Sequence, residues 1–256
     1  KGSIPGLGRT QKLLSLMGNP HEKLKYVHIA GTNGKGSTAA MTASSLRKAG
    51  YKVGLYTSPY IYRFNERMQI DGQQIPDQEL ADITEWVKPL AQSMEESPTE
   101  FELVSCIAFE YFKRNKCDIV VLEVGMGGAL DSTNVIPVPE VAVLTNIGLD
   151  HTDYLGNTPA EIAYEKACIL KGHRPVVAYE SQPDALSVIK DYAASHGNPL
   201  CVTDFAAIEP VSADLTGQSF RYKNKEYSIR LLGAHQQRNA ALVLETVDVL
   251  REQGWN

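Results

Sequence analysis

Short apolar runs alternate with amphipathic stretches along this chain, and that alternation predicts repeated strand-helix units. Tyr26–Ala30 (YVHIA) is a short apolar run followed by glycine, and residues 37–49 read as a helix closed by Gly50. Val53–Tyr56 reads as the next strand. Asp71-Gly72, between extended segments at 67–70 and after Gln73, favours a tight hairpin. Asp77 is a candidate cap for a helix reaching Gln92, and a further helix is expected over 102–115 without a clear cap. IVVLEV at 119–124 and VAVLT at 141–145 are continuously apolar, as strands covered on both faces of a parallel sheet must be. Thr158, Pro159 and Glu161 form a capping-box pattern for a helix to Leu170. A strand at Val176–Ala178, a helix at 184–196, a more polar strand-like stretch at 200–232 and a last helix at 236–253 complete the order. Right-handed βα crossovers imply an α/β fold: an open, mostly parallel sheet flanked by helices, with a small β-rich segment near the C-terminal end. Ligands of such sheets bind beyond the carboxyl ends of the strands.

Composition narrows what that fold works on. With 43% hydrophobic residues the chain supports one large domain over 1–256. No run of about 18 apolar residues and no charged-then-apolar leader is present, so a cytoplasmic protein with no membrane contact is expected. Cys106, Cys117, Cys168 and Cys201 are irregularly spaced with no CxxC pair, which excludes a zinc ribbon and points to reduced core thiols. A formal net charge of -5 gives no general footprint for nucleic acid. An anionic ligand therefore needs a local device.

Gly31-Thr32-Asn33-Gly34-Lys35-Gly36-Ser37 is that device, because it follows an apolar strand and opens a helix. Its backbone amides can surround phosphate oxygens at a positive helix terminus, Lys35 can reach the β and γ phosphates of ATP, and the Ser37 hydroxyl can ligate magnesium. The sheet is accordingly expected to be of the P-loop NTPase type. Glu123 ends the IVVLE strand at the ligand edge, where a hard oxygen ligand can hold magnesium against Ser37. An acid within so apolar a strand is costly without a cation, although a buried salt bridge would also explain it.

Only Thr32 and Asn33 separate the first glycine from Gly34-Lys35, and another glycine follows the lysine. GTNGKGS resembles the loop of the Mur ligase and folylpolyglutamate synthase superfamily. TSPYIYRFNERM at 57–68, LEVGMGG at 122–128, LDSTN at 130–134 and Leu149-Asp150-His151 resemble motifs of the folylpolyglutamate and dihydrofolate synthases. The resemblance runs through essentially the whole chain and implies the ATP-binding central domain of an ATP-dependent ligase. Such an enzyme activates a folate carboxylate as an acyl phosphate for amide formation with L-glutamate.

The resemblance also implies roles. Magnesium, expected as two ions, would be held by Ser37, Ser58, Glu123 and His151, with Lys166 joining them after carbamylation by carbon dioxide. Chemistry alone would favour a hydrogen-bonding role for His151 and an ion pair for Lys166. Asn239, in the segment HQQRNAA, is the expected adenine-side contact. Residues 99–102, including Phe101 and Glu102, together with Leu130, Asp131 and Ser132, are implied in a pterin pocket near Ser58. Tyr60, Tyr62 and Phe64 offer flat surfaces beside it, and Arg63 and Arg67 can attract the acceptor's carboxylates. Lys35, Glu123, His151 and Lys166 are the residues expected to carry catalysis. Relatives continue into a second α/β domain that carries the glutamate site, with WPGR-like and DGAHN-like segments facing ATP, and neither segment occurs here. The expectation is therefore a domain inactive alone and monomeric, whose partners are small molecules: ATP, L-glutamate and a folate or dihydropteroate. A bifunctional dihydrofolate synthase, a Mur-type cell-wall ligase and a non-enzymatic nucleotide-binding module are the alternatives.

Overall fold

Residues 6–256 are described by the computed structural model, and in them the apolar runs pair as one eight-stranded sheet. The chain runs α1 (Gly8–Leu16), β1 (Tyr26–Ala30), α2 (Lys35–Lys48), β2 (Val53–Tyr56), β3 (Met68–Ile70), β4 (Gln73–Gln74), α3 (Asp77–Gln92), α4 (Glu100–Arg114) and β5 (Ile119–Glu123). It continues through β6 (Val141–Leu144), α5 (Thr152–Leu155), α6 (Pro159–Ala167), β7 (Val176–Ala178), α7 (Pro183–Ser195) and β8 (Leu200–Val202). β9 (Glu209–Asp214), β10 (Gly217–Tyr222), β11 (Lys225–Ile229) and α8 (Ala234–Glu252) close the order. The large sheet is ordered β4-β3-β2-β5-β1-β6-β7-β8, and β9 to β11 form a separate antiparallel sheet. Only β3 runs against its neighbours β2 and β4 in the large sheet, so the expected mostly parallel α/β architecture is what the chain adopts.

Alternation along each strand decides which helix a side chain meets. Tyr26 and Tyr56 face a core built with Leu13 of α1, Ile83 of α3 and Phe109 of α4. Val27, Ile29 and Val121 point the other way, onto Ala39 of α2 and Leu242 of α8. β6 and β7 pack against Ile162 of α6 and Ile189 of α7. The small sheet rests its Phe220 and Tyr222 on Ala240 and Ala241 of α8.

Several local expectations change. α2 begins at Lys35 rather than at residue 37, which puts the lysine and Ser37 in its first turn. Asp77 is not a cap: Pro76 occupies that position, and the Asp77 carboxylate accepts from Arg63 Nη2 at 3.0 Å and Asn65 Nδ2 at 2.7 Å. The cap of α4 is Thr99, which exchanges bonds with Glu102 in a capping box. The box at Thr158 forms as expected, but α6 ends at Ala167, three residues before Leu170. α1 and α5 were not legible in the pattern. Cys106 and Cys117 are buried, whereas Cys168 and Cys201 are only half-buried, so the reading of four core thiols holds for two of them. Among the described residues no helix is long and apolar enough to cross a membrane.

Gly54 on β2 has no room for a side chain, because an added Cβ would stand 2.7 Å from the fully buried ring of Phe112. Gly54→Ala is expected to destabilise the protein by about 1–3 kcal/mol through overpacking. Chemical denaturation measures this, and an unchanged midpoint would show that α4 yields freely.

Candidate active site

β1 and β6 are neighbours, yet the chain leaves them toward opposite edges of the sheet, so their carboxyl ends flank a crevice. The glycine loop occupies it. Thr32 N–H donates to the Asn146 carbonyl at 2.7 Å, and its hydroxyl lies 3.0 Å from the Gly148 carbonyl, which ties the loop after β1 to the loop after β6. Gly34 caps α2 at φ +87°, and a Cβ there would fall 2.7 Å from Asn239 Oδ1, so backbone angle and close approach both require glycine. Asn239, on α8, thus closes one side of the loop. Gln236, three residues earlier, donates through Nε2 to Ser37 Oγ at 3.1 Å. The unpaired amides of the first turn of α2 and its positive terminus make the loop an anion cradle. Lys35 Nζ rests on the carbonyls of Gly31 and Thr32, at 3.1 and 3.2 Å, beside that cradle.

Glu123 lies directly beneath. It continues the face of β5 that Ile119 and Val121 turn toward α2, and a Cβ on Gly36 would be 3.7 Å from its Oε2. The same oxygen accepts from Ser58 N–H at 3.1 Å. Glu123 is only 4% exposed. Burial pushes its carboxyl up to about 7, while the Ser58 amide and Lys35 pull in the opposite direction. Among the described residues no three His, Cys, Asp or Glu side chains gather into a metal cluster. A buried carboxylate with a serine hydroxyl nearby still fits magnesium, which takes few protein ligands and completes its shell with water and phosphate oxygens.

Lys166 is also buried here and donates from Nζ to the Gly31 carbonyl at 2.9 Å. Two lysines therefore share one carbonyl. Burial first, and Lys35 second, bring the Lys166 ammonium down to about 8. His151 stands apart from this burial. It takes a left-handed backbone at φ 48°, its side chain is 53% exposed, and its Nε2 lies 3.8 Å from Asp150 Oδ2.

A cavity of about 560 Å³ opens on the far side of Ser58. Ser58, Phe101, Glu102, Leu130, Asp131 and Ser132 all line it, as does Arg67. The Arg67 guanidinium lies over the rings of Tyr60 and Phe64, at 5.3 and 5.8 Å, and its buried Nε has no partner. The Arg67 guanidinium, which lines the cavity, gives an entering carboxylate a cation to pair with. Arg63 and Phe64 are not brought to the cavity. Arg63 pairs with Asp77 along a separate shallow groove, and Phe64 packs against the core beside Tyr60. Tyr62 is 88% exposed. Glu102 is committed within the protein, to the Thr99 amide at 2.6 Å and to Arg9 in a bidentate pair at 2.8 and 3.0 Å. It holds the first turn of α4, and with it Phe101, against α1.

Sequence reasoning missed Arg9 and Gln236, and also Tyr154 and Glu165, which line the cavity. Gln236 was within reach, since it sits in the HQQRNAA segment. The cap of α4 went unread in the sequence, although the Thr-x-x-Glu spacing of Thr99 and Glu102 is the signal that marks it. Nothing local marks Arg9, whose partner is 93 residues away.

Residues 29–247 match the Mur ligase middle domain family. The chain is 43% identical to the dihydrofolate synthase/folylpolyglutamate synthase of Bacillus subtilis (strain 168), over 98% of this chain and 61% of that protein. It is 39% identical to the folylpolyglutamate synthase of Lacticaseibacillus casei, over 98% of this chain and 62% of the relative. Among solved structures, an FPGS-AMPPCP-folate complex superposes with a TM-score of 0.89 at 38% identity, covering 98% of this chain and 65% of that one. The chain thus spans less than two thirds of the length of these relatives.

Glu123 generates a pH test. A carboxyl raised by folding binds its proton more tightly in the native state, so without metal its contribution is favourable below the unfolded value near 4.5 and is lost as pH rises toward 7. Metal-free Glu123→Gln is therefore expected to be more stable than wild type at pH 8, by about 1–3 kcal/mol, with the gap closing near pH 5. Thermal melts at both pH values check this, and equal melting temperatures at pH 8 would mean that the carboxylate is already compensated.

Proposed function

The chain belongs to the Mur ligase family, among its folylpolyglutamate and dihydrofolate synthases, and from that premise we propose that it holds ATP and the acceptor for an amide-forming ligation. The acceptor is a folate, or dihydropteroate in the bifunctional case, and L-glutamate supplies the amine. One observation carries the reading: Ser58 donates its amide to Glu123 under the phosphate loop and also lines the acceptor cavity. The two compartments share that wall. An acceptor carboxylate drawn to the Arg67 guanidinium lies on the cavity side of it, and the phosphates of ATP lie on the other.

The acceptor carboxylate takes the γ-phosphoryl group, ADP leaves, and the amine of glutamate then displaces phosphate from the acyl phosphate. Transfer of this kind asks the protein for positioning and positive charge rather than a nucleophile. Lys35 and the amides of residues 32–37 supply both, and Asn239 and Gln236 hold the loop from the side. Magnesium held between Ser37 and Glu123, when bound, supplies further positive charge at the β and γ phosphates. A second ion would be held by Glu123, Ser58 and His151, with Lys166 joining them. For Lys166 that role requires carbamylation: the neutral amine attacks carbon dioxide, a nitrogen-carbon bond forms and a proton leaves. With its ammonium lowered to about 8, Lys166 presents the neutral amine far more often than an ordinary lysine does. The glutamate site belongs, on this reading, to the part of the relatives that this chain does not cover. The protein works as a monomer in the cytoplasm.

Three measurements test the proposal. Lys35→Ala should weaken ATP binding by about tenfold or more, since a charge-assisted contact is worth roughly 1.5–3 kcal/mol. Calorimetry giving unchanged affinity would remove the loop from the site. With 13C-bicarbonate the wild-type protein should show a carbamate resonance that Lys166→Arg lacks, and its absence from wild type would leave Lys166 as a hydrogen-bond donor to Gly31. The full-length protein, given ATP, glutamate and either dihydropteroate or a reduced folate, should release ADP with at least one acceptor. ADP release with neither would overturn the ligase assignment.

A further inference from the structure

β1 carries a polar residue that the ligase reading does not use. Tyr26, His28 and Ala30 share the face opposite Val27 and Ile29, and His28 is completely buried there. Its Nε2 lies 3.0 Å from Thr133 Oγ1. Thr133 Oγ1 donates in turn to Asp131 Oδ1 at 2.5 Å, and Thr133 N–H donates to the same oxygen at 2.9 Å. Asp131 Oδ2 accepts from Met126 N–H at 2.9 Å. A Cβ on Gly125 would be 3.1 Å from that oxygen and 2.4 Å from the ring of Phe101, so Oδ2 lies on the side of the cavity that Phe101 lines.

Proton counting gives this chain a direction. A threonine hydroxyl has one proton, and here it is spent on the carboxylate, so the hydroxyl oxygen must accept from His28. His28 is thereby the Nε2–H tautomer. Burial lowers its imidazolium to about 3, so the ring is neutral. Its other nitrogen, Nδ1, is buried without a partner. An orphaned buried acceptor destabilises the fold, and a leucine in this apolar strand would avoid that cost. Packing alone therefore gives no reason for histidine.

We infer that His28 is a positioning residue for the acceptor cavity: acting through Thr133, it holds Asp131 as a hydrogen-bond acceptor that receives N–H donors of the pterin. Oδ1 takes both Thr133 donors, and Oδ2, which already accepts from the Met126 amide, is the oxygen with room for a further donor on the cavity side. Without the His28 donor, the Thr133 hydroxyl is free to rotate, and Asp131 is left with backbone donors in place of a side-chain donor held in one direction. The inference rests on the acceptor reading above in taking a pterin as the ligand.

The test separates this role from simple packing. In the full-length protein, calorimetry with dihydropteroate and with a reduced folate should show His28→Met and Thr133→Val each weakening acceptor binding about tenfold, which is about 1.4 kcal/mol. The double variant should be no worse than either single one, because both cut the same chain. His28→Gln, which keeps a donor, should recover most of the affinity, and ATP binding should stay within about twofold of wild type throughout. Acceptor affinity unchanged in Thr133→Val, or acceptor and ATP binding lost in equal measure, would overturn the inference. Nitrogen-15 spectra of labelled histidine read the chain without any ligand. The expected neutral Nε2–H form supports it, and an Nδ1–H tautomer would overturn it while leaving the ligase assignment standing. Failure of wild type to bind either pterin would overturn both.

Discussion

A carboxylate at the end of an apolar strand is the constraint around which this site is arranged. Glu123 accepts from the Ser58 amide and feels the fields of Lys35 and Asp131, and burial holds its proton up to about 7. A charge so placed is stable only with a cation beside it. The glycine loop, the first turn of α2 and Ser37 stand where that cation and the phosphates it accompanies would lie. The loop is held in turn by Asn146 and Gly148 after β6, by Lys166 from α6 and by Gln236 from α8. Three elements distant in sequence thus meet on the loop that stands above this acid.

The sheet divides the labour by its alternation. In the proposed ligation, side chains on the α2 and α8 face would serve the nucleotide, and those on the α1 and α4 face the acceptor. Glu123 belongs to the first face, His28 to the second, and β5 and β1 lie side by side. Ser58 joins the compartments at the strand ends, where backbone rather than side chain forms the boundary. In the proposed reaction that arrangement would keep a γ-phosphoryl group and a carboxylate close without placing a competing protein nucleophile between them. Glu102 and Arg9 perform the supporting task on the acceptor side, since their bidentate pair fixes the turn that presents Phe101.

Much of this was legible before any coordinates. Continuous apolar runs announce buried parallel strands, a capping box announces the start of α6, and GTNGKGS between strand and helix announces an anion cradle. These are local signals, carried by backbone geometry within a few residues, so one stretch of sequence suffices to read them. The same locality explains Glu123, whose place at the end of IVVLE follows from strand length alone.

What tertiary structure decided is which distant groups meet. Arg63 and Arg67 have the same chemistry four positions apart. Packing gives the first to Asp77 and leaves the second with a buried, unpartnered nitrogen beside the cavity. Phe64 and Phe101 are both aromatic, and only the second lines it. His28 reads as one residue of an apolar strand until Thr133, 105 positions later, is set against it. Sequence determines periodicity, caps and loop chemistry because those are short-range. Partner choice, burial and the proton affinities that follow from them depend on the low-dielectric surroundings that exist only once the sheet and its helices have closed.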